Sequence, residues 1–325
     1  MRPALSVILL TTLIGAGQGL FLALFTVESY AAFGLLARQT GAFYGAGAAI
    51  ALGLLVAGLA ASFFHLGHPE RAWRSAARWR TSWLSREVIV LPAFMAVVVL
   101  YGLAHWAGIN PVLVELPSGA PVDVTAILGV AGTLLAFALY VSTAMIYACL
   151  RFLQEWHTPL TVSNYVLLGG ASGFTLASAF AAIAAPGLAP FFAGWAIVLT
   201  ALGLVSRAAS SLRNGRLKAK SSPQTAIGAR HPRVRQISQG FLGGSFNTRE
   251  FFHGRAPGVL SAVKWLFLLL AFVVPLVLLA TALVTASKPG LVAAFAVQYL
   301  GMLAERWFFF AQANHPQNLY YQAVS

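Results

Sequence analysis

The chain has 325 residues, of which 59% are hydrophobic and 9% charged, with a formal net charge of +13 and a mean hydropathy of +0.78. That balance excludes an ordinary soluble domain and points to a polytopic membrane protein. The single cysteine, Cys149, excludes an internal disulfide, a four-cysteine iron–sulfur cluster and a Cys-rich zinc site.

Crossing a hydrocarbon core roughly 30 Å thick takes about 20 apolar residues in a helix, and backbone polar groups in lipid have to be satisfied within the chain. Continuous apolar runs of that length predict an all-α bundle, because a barrel reads as short alternating segments. In chain order the eight spans are 4–36, 43–64, 86–105, 123–149, 161–184, 189–208, 260–286 and 289–310. Residues 1–325 are read as one integral membrane domain, broken by a His/Arg/Trp connection at 65–86 and a long basic loop at 209–259.

The opening "MRPALSVILLTTLIGAGQG" imitates a signal peptide, with Arg2 as its basic region. Its apolar run continues past any h-region without a small-x-small cleavage site, so it is read as the first helix. The glycines in "GAGQG" follow no strand, so they predict small-residue helix packing rather than a dinucleotide site. Glu28, near the outer end of this span, is expected to be solvated at the interface. Pro92 and Pro275 are expected to kink spans three and seven. No internal repeat marks the inverted halves of a transporter.

Span two gives way to "FFHLGHPERAWRSAARWRTSWLSREV", which concentrates charge and Trp in a chain poor in charge. Arg71, Arg74, Arg78 and Arg80 recur at the spacing of a short interfacial helix, and Trp73, Trp79 and Trp83 suit headgroup level. His65 closes span two and Glu87 opens span three, so the connection can bring them together. Ionisable groups near a span are costly and often mark function.

Basic residues set the orientation. Arg71 to Arg86, Arg151, and the set from Arg207 through Arg213, Arg216, Lys218, Lys220, Arg230, Arg233, Arg235, Arg249 and Arg255 to Lys264 fill or flank connections on one face, while 106–122 and 185–189 have none. With eight spans that face also carries both termini and is predicted to be cytoplasmic. The positive charge is therefore read as a topology signal, a docking surface and a contact for anionic lipid, with no nucleic acid implied. The first half of the long loop reads as a flexible connection, and "ISQGFLGGSFNTREFFHG" as a folded element on which a partner protein docks.

His65, His68, His157, His231, His253 and His315 all lie on this face, and His105 on the other. No span carries a His near its middle, which argues against a ladder of haems; a single haem at the cytoplasmic edge stays open. What remains is a group of proton-handling residues at the mouth of a bundle, suited to a lipophilic quinone whose reduction consumes two electrons and two protons. His65 can hold a quinone oxygen, and Glu87 can relay protons from water. In the last span Glu305 and Arg306 point about 100° apart and are expected to pair with other helices rather than with each other.

"HLGHPERAWRS" followed by "LSRE" resembles the motif of the DMSO reductase membrane-anchor family, the integral subunits of complex iron–sulfur molybdoenzymes, and the span layout fits along the full chain. "FNTREFFHG" and "ERWFFFAQANHPQNLYYQ" resemble the branch that anchors cytoplasmic sulfite dehydrogenase. The resemblance implies an anchor in the cytoplasmic membrane of a prokaryote that carries no haem and no cluster. It implies a ferredoxin-like iron–sulfur subunit and a molybdopterin catalytic subunit as partners, and exchange of electrons with ubiquinone or menaquinone. By motif match His65 takes the position of the family's quinone-site histidine and Glu87 that of its functional carboxylate; the site extends to Arg71 and to His68, which occupies a variable position. The expected role is electron transfer to quinone, in sulfite oxidation. A reductase anchor oxidising quinol, and a transporter or non-redox scaffold, are the alternatives.

Overall fold

Apolar runs that satisfy their own backbone can only be helices. In the computed structural model, which describes residues 1–321 except Leu116, Ser118, Ala120 and 239–248, they form α1 Leu5–Ala32, α2 Gly41–Phe63, α3 Trp83–Ala107, α4 Val124–Ala148 and α5 Pro159–Ala184. α6 Ala189–Gly215, α7 Pro257–Thr285 and α8 Lys288–Ala311 complete the set. Among the described residues seven helices, α1 to α7, are long and apolar enough to cross a membrane. The eighth expected span is a helix of 24 residues, but Gln298, Glu305 and Arg306 dilute its hydropathy.

The helix ends follow local chemistry. Side-chain oxygens of Thr40, Ser82, Asp123, Thr158 and Ser287 accept the first free N–H groups of α2, α3, α4, α5 and α8. α1 stops at Ala32, short of the expected 36, because Gly34 turns left-handed at φ +73°. Leu35 N–H then donates to Tyr30 O and Gly34 N–H to Ala31 O, which closes the helix as a Schellman motif. α7 contains a π-helical turn at Leu269–Val273 just ahead of Pro275, where the missing proline N–H loosens the ladder. Pro92 lies inside α3, which runs unbroken. α6 extends two turns past the expected 208 and takes Ser210 into its buried face, together with Arg207 at the expected end.

Between the helices, Pro69–Arg78 forms a 3-10 helix, the expected interfacial element, containing Arg71, Arg74 and Arg78 with Arg80 just beyond. An antiparallel hairpin, Val112–Glu115 against Pro121–Asp123, fills the connection from α3 to α4 and was not anticipated. Of the stretch expected to dock a partner, 239–248 lie outside the described residues.

α1 and α5 are the most buried helices, and small residues bring them together. A Cβ on Gly173 would lie 2.1 Å from Gly19 C, and one on Gly19 would lie 2.3 Å from Gly169 O, so the two backbones touch directly. The "GAGQG" glycines are packing residues, as expected.

The bundle has two polar ends and an apolar middle. At one end Met1 N–H donates to Ala313 O at 2.8 Å, Arg213 to Gln154 O and Asn214 to Glu155 O. Both ends of the described chain and the basic connections therefore meet there. Leu20, Phe21, Leu24 and Leu139 are fully buried in the middle layer. The hydroxyls at that depth, Thr26, Thr133, Thr175 and Ser178, donate to carbonyls of their own helices.

Candidate functional site

α3 starts where Ser82 caps it, so Glu87 falls in its second turn and projects into the bundle, 8% exposed. Thr143 of α4 donates a hydrogen bond to Glu87 Oε1. The carboxylate lines an interior cavity of about 30 Å³ walled by α1, α4, α5 and α8, with Gln18, Tyr140, Thr143, Tyr165 and Arg306 among its polar residues. A space of that size takes one or two waters.

His65 follows the last turn of α2 and lies on the surface beside the exposed Phe63, Phe64 and Leu66. Enough of its ring is covered that burial holds its imidazole below the usual histidine pKa, so the ring is neutral at pH 7. His68 and Arg71 sit further out, both against the exposed Glu70: His68 Nδ1 is 3.0 Å and Arg71 Nε 3.6 Å from Glu70 Oε1. His65, His68 and Arg71 do not line the Glu87 cavity. The structure thus places His65 at an exposed apolar rim and Glu87 inside. Around them Arg74, Arg80 and Arg86 lie over Trp73, Trp79 and Trp83 at 5.5, 5.2 and 4.0 Å from the ring centroids, the cation–π pattern of an interfacial element. Arg86 also donates to Trp79 O and Arg80 O, tying the connection to α3.

Two charged groups differ from expectation. Arg207, grouped with the loop arginines by position, is 1% exposed and its Nε lies 2.6 Å from Glu305 Oε1. Glu305 therefore has its expected partner on another helix, yet Arg306 also folds back onto it, Nε to Oε2 at 2.6 Å. A buried carboxylate gains from a second cation, and the long Arg side chain spans the step between neighbours. Glu28 is not solvated: its side chain is 14% exposed, accepts from Tyr101 at 2.6 Å and from Thr125, and lies 3.3 Å from His105 Nε2. His105 stacks on Tyr44 at 4.3 Å. This cluster, at the end away from the termini, ties α1 to α3 and α4, with Tyr44 of α2 packed against it.

Sequence reading missed Thr143, Tyr140, Tyr165 and Gln18, which look like ordinary helix residues. The one available signal was a polar side chain in a span with no polar neighbour in sequence, as at Gln18.

An apolar helical bundle with an interfacial His/Arg/Trp connection and a polar pocket just inside it has the build of a membrane anchor. Residues 1–312 match the model of the DMSO reductase anchor subunit (DmsC) family, and the chain belongs to that family: it is the membrane anchor of a molybdoenzyme. It is 56% identical over 325 residues, covering all of both chains, to a sulfite dehydrogenase subunit of Allochromatium vinosum.

Proposed function

We propose that the chain passes electrons from an iron–sulfur partner protein to membrane quinone, as the anchor of a complex whose molybdopterin subunit oxidises sulfite. The observation that carries the substrate is the full-length 56% identity to the sulfite dehydrogenase subunit of Allochromatium vinosum. The face with the termini is cytoplasmic in this reading, and the partner proteins dock on it.

The geometry supports a division of labour. The cavity of about 30 Å³ is too small for a quinone ring, so the ring stays at the rim. There His65 stands neutral beside exposed Phe64 and Leu66, able to hydrogen-bond a carbonyl oxygen while the apolar surface receives the lipophilic part. Quinone, ubiquinone or menaquinone, supplies the acceptor for two electrons and two protons. Glu87 exchanges protons from behind, through the water-sized cavity, and Thr143 orients its carboxylate. Arg71 and His68, 58% and 69% exposed at the side chain, bound the outer side of this rim and face the docking partner.

His65→Ala in the intact complex should abolish quinone reduction and leave sulfite oxidation with an artificial acceptor unchanged. Glu87→Gln should slow quinone reduction at least tenfold with the same control intact. Loss of both activities in His65→Ala would sink the assignment, as would purification of the complex without an iron–sulfur protein.

A further inference from the structure

Among the described residues the buried charged side chains are Glu87, Arg207, Glu305 and Arg306, two positive and two negative. Arg207, Glu305 and Arg306 form one contiguous chain with a net positive charge. Glu87 stands apart, on α3, but it and Arg306 line the same cavity. An unbalanced charge is costly inside a bundle surrounded by hydrocarbon. Among the described residues Glu87 is the one other buried charged side chain, and the one acid left to balance it.

The ground between the two is polar. Tyr147 of α4 and Tyr165 of α5 each feel the charges of both Glu87 and Arg306, and the Arg306 guanidinium lies over the Tyr165 ring at 4.2 Å. Arg306 Nη1 is buried with no hydrogen-bond partner. Thr143 occupies Glu87 Oε1, leaving Oε2 for a further donor. A cavity of about 30 Å³ with such groups on its walls meets the requirement for bound water, which needs space for about one probe sphere and two to four polar partners.

We propose that this cavity is a water site through which Arg306 acts on Glu87: the guanidinium supplies the positive potential that lets the carboxyl give up its proton at neutral pH. Arg306 is then a positioning residue for proton exchange at Glu87. The other titratable groups facing Glu87 are Tyr140 and Tyr147 from α4 and Tyr165 from α5; α1 contributes Thr11, Thr12 and Gln18, which do not titrate. On its own helix Arg86 is turned outward to Trp79 O and Arg80 O. The proposal rests on reading Glu87 as the proton relay and names what sets its charge.

The test is made on the whole complex in lipid nanodiscs. Infrared difference spectroscopy reads protonated carboxyl groups, and the Glu87 band is assigned by its absence in Glu87→Gln. Arg306→Gln leaves Arg207 and Glu305 as a neutral pair, so it should protonate Glu87 at pH 7 and move the pH profile of quinone reduction upward by about one unit, a tenfold change in proton affinity. Oxidation of sulfite with an artificial acceptor should not change. Arg306→Lys keeps the charge and should keep the wild-type band and profile. Gly15→Ala offers a second route should Arg306→Gln fail to assemble: Gly15 lines the cavity, and its added Cβ would lie 3.5 Å from Gly169 Cα, an ordinary contact. The methyl displaces water and should shift the profile in the same direction. An unprotonated Glu87 and an unmoved profile in either uncoupling variant would overturn the proposal. Unchanged quinone reduction in Glu87→Gln would instead overturn the relay reading, while the infrared comparison still reports the coupling.

Discussion

Arg207 and Glu305 join α6 to α8 through an ion pair of 2.6 Å whose side chains are 1% and 0% exposed. Arg306 holds the same carboxylate at 2.6 Å, so Glu305 is the shared partner, and removing it strands two buried cations at a cost of about 3–5 kcal/mol or more. Glu305→Gln should therefore lower the unfolding midpoint of the solubilised protein sharply, whereas Arg207→Met, which leaves Glu305 paired with Arg306, should cost less. A denaturation series on the two variants measures it. Equal loss in both would show that packing, not charge, dominates.

The contact of Gly173 with Gly19 leaves no room for a side chain, since a Cβ on Gly173 would sit 2.1 Å from Gly19 C and 2.3 Å from Leu20 N. Both neighbours are backbone and cannot rotate away. Gly173→Leu should separate α1 from α5, costing at least the roughly 1–3 kcal/mol typical of overpacking, and should reduce the yield of folded protein in membranes. Gly194→Leu, at a position where an added Cβ meets nothing within 4 Å, is the control and should leave the yield unchanged.

Burial places the His65 pKa below the ordinary value of 6.5. The neutral ring is favoured in the fold, so this contribution to stability is fully present above about pH 6.5 and declines as pH falls through the lowered value. With the ring neutral, quinone-linked turnover should vary little with pH near neutrality and fall only as pH drops through the lowered His65 pKa, on the acid side of 6.5. Artificial-acceptor rates measured over the same range remove any effect on the partner proteins. A quinone-specific fall that persists unchanged in His65→Asn would assign it to another group.

Cys149, the only cysteine, is exposed where α4 ends, on the same end as Met1 and Ala313. It is a native reporter of sidedness. A membrane-impermeant thiol reagent should label it in inside-out vesicles and not in right-side-out ones; the reverse result would place the docking face outside.

The helices were legible because each is a long apolar run, and α2, α3, α4, α5 and α8 also begin at a capping side chain, Thr40, Ser82, Asp123, Thr158 and Ser287. Contacts between distant helices were not. Glu28 looks solvated beside its sequence neighbours, and nothing near it announces Tyr101 or Thr125. Arg207 looks like a loop residue because the apolar run fades there, although the helix continues to Gly215. His65 and Glu87 were both visible from the motif, but not that one faces the rim and the other the interior. That difference depends on the turn of α3 beyond Ser82, which sequence spacing alone does not orient against α4.

The apolar middle layer bears on how the cell stores energy. Sulfite oxidised to sulfate with one water releases two protons and two electrons, and reduction of quinone takes up two of each. In the proposed function both half-reactions meet the same compartment. Leu20, Phe21, Leu24 and Leu139 interpose a dielectric barrier between Glu87 and Glu28, and the hydroxyls beside it are committed to their own helices. Turnover is then electroneutral: the anchor loads the quinone pool with reducing equivalents, and the protonmotive force is built by whichever enzyme reoxidises that pool.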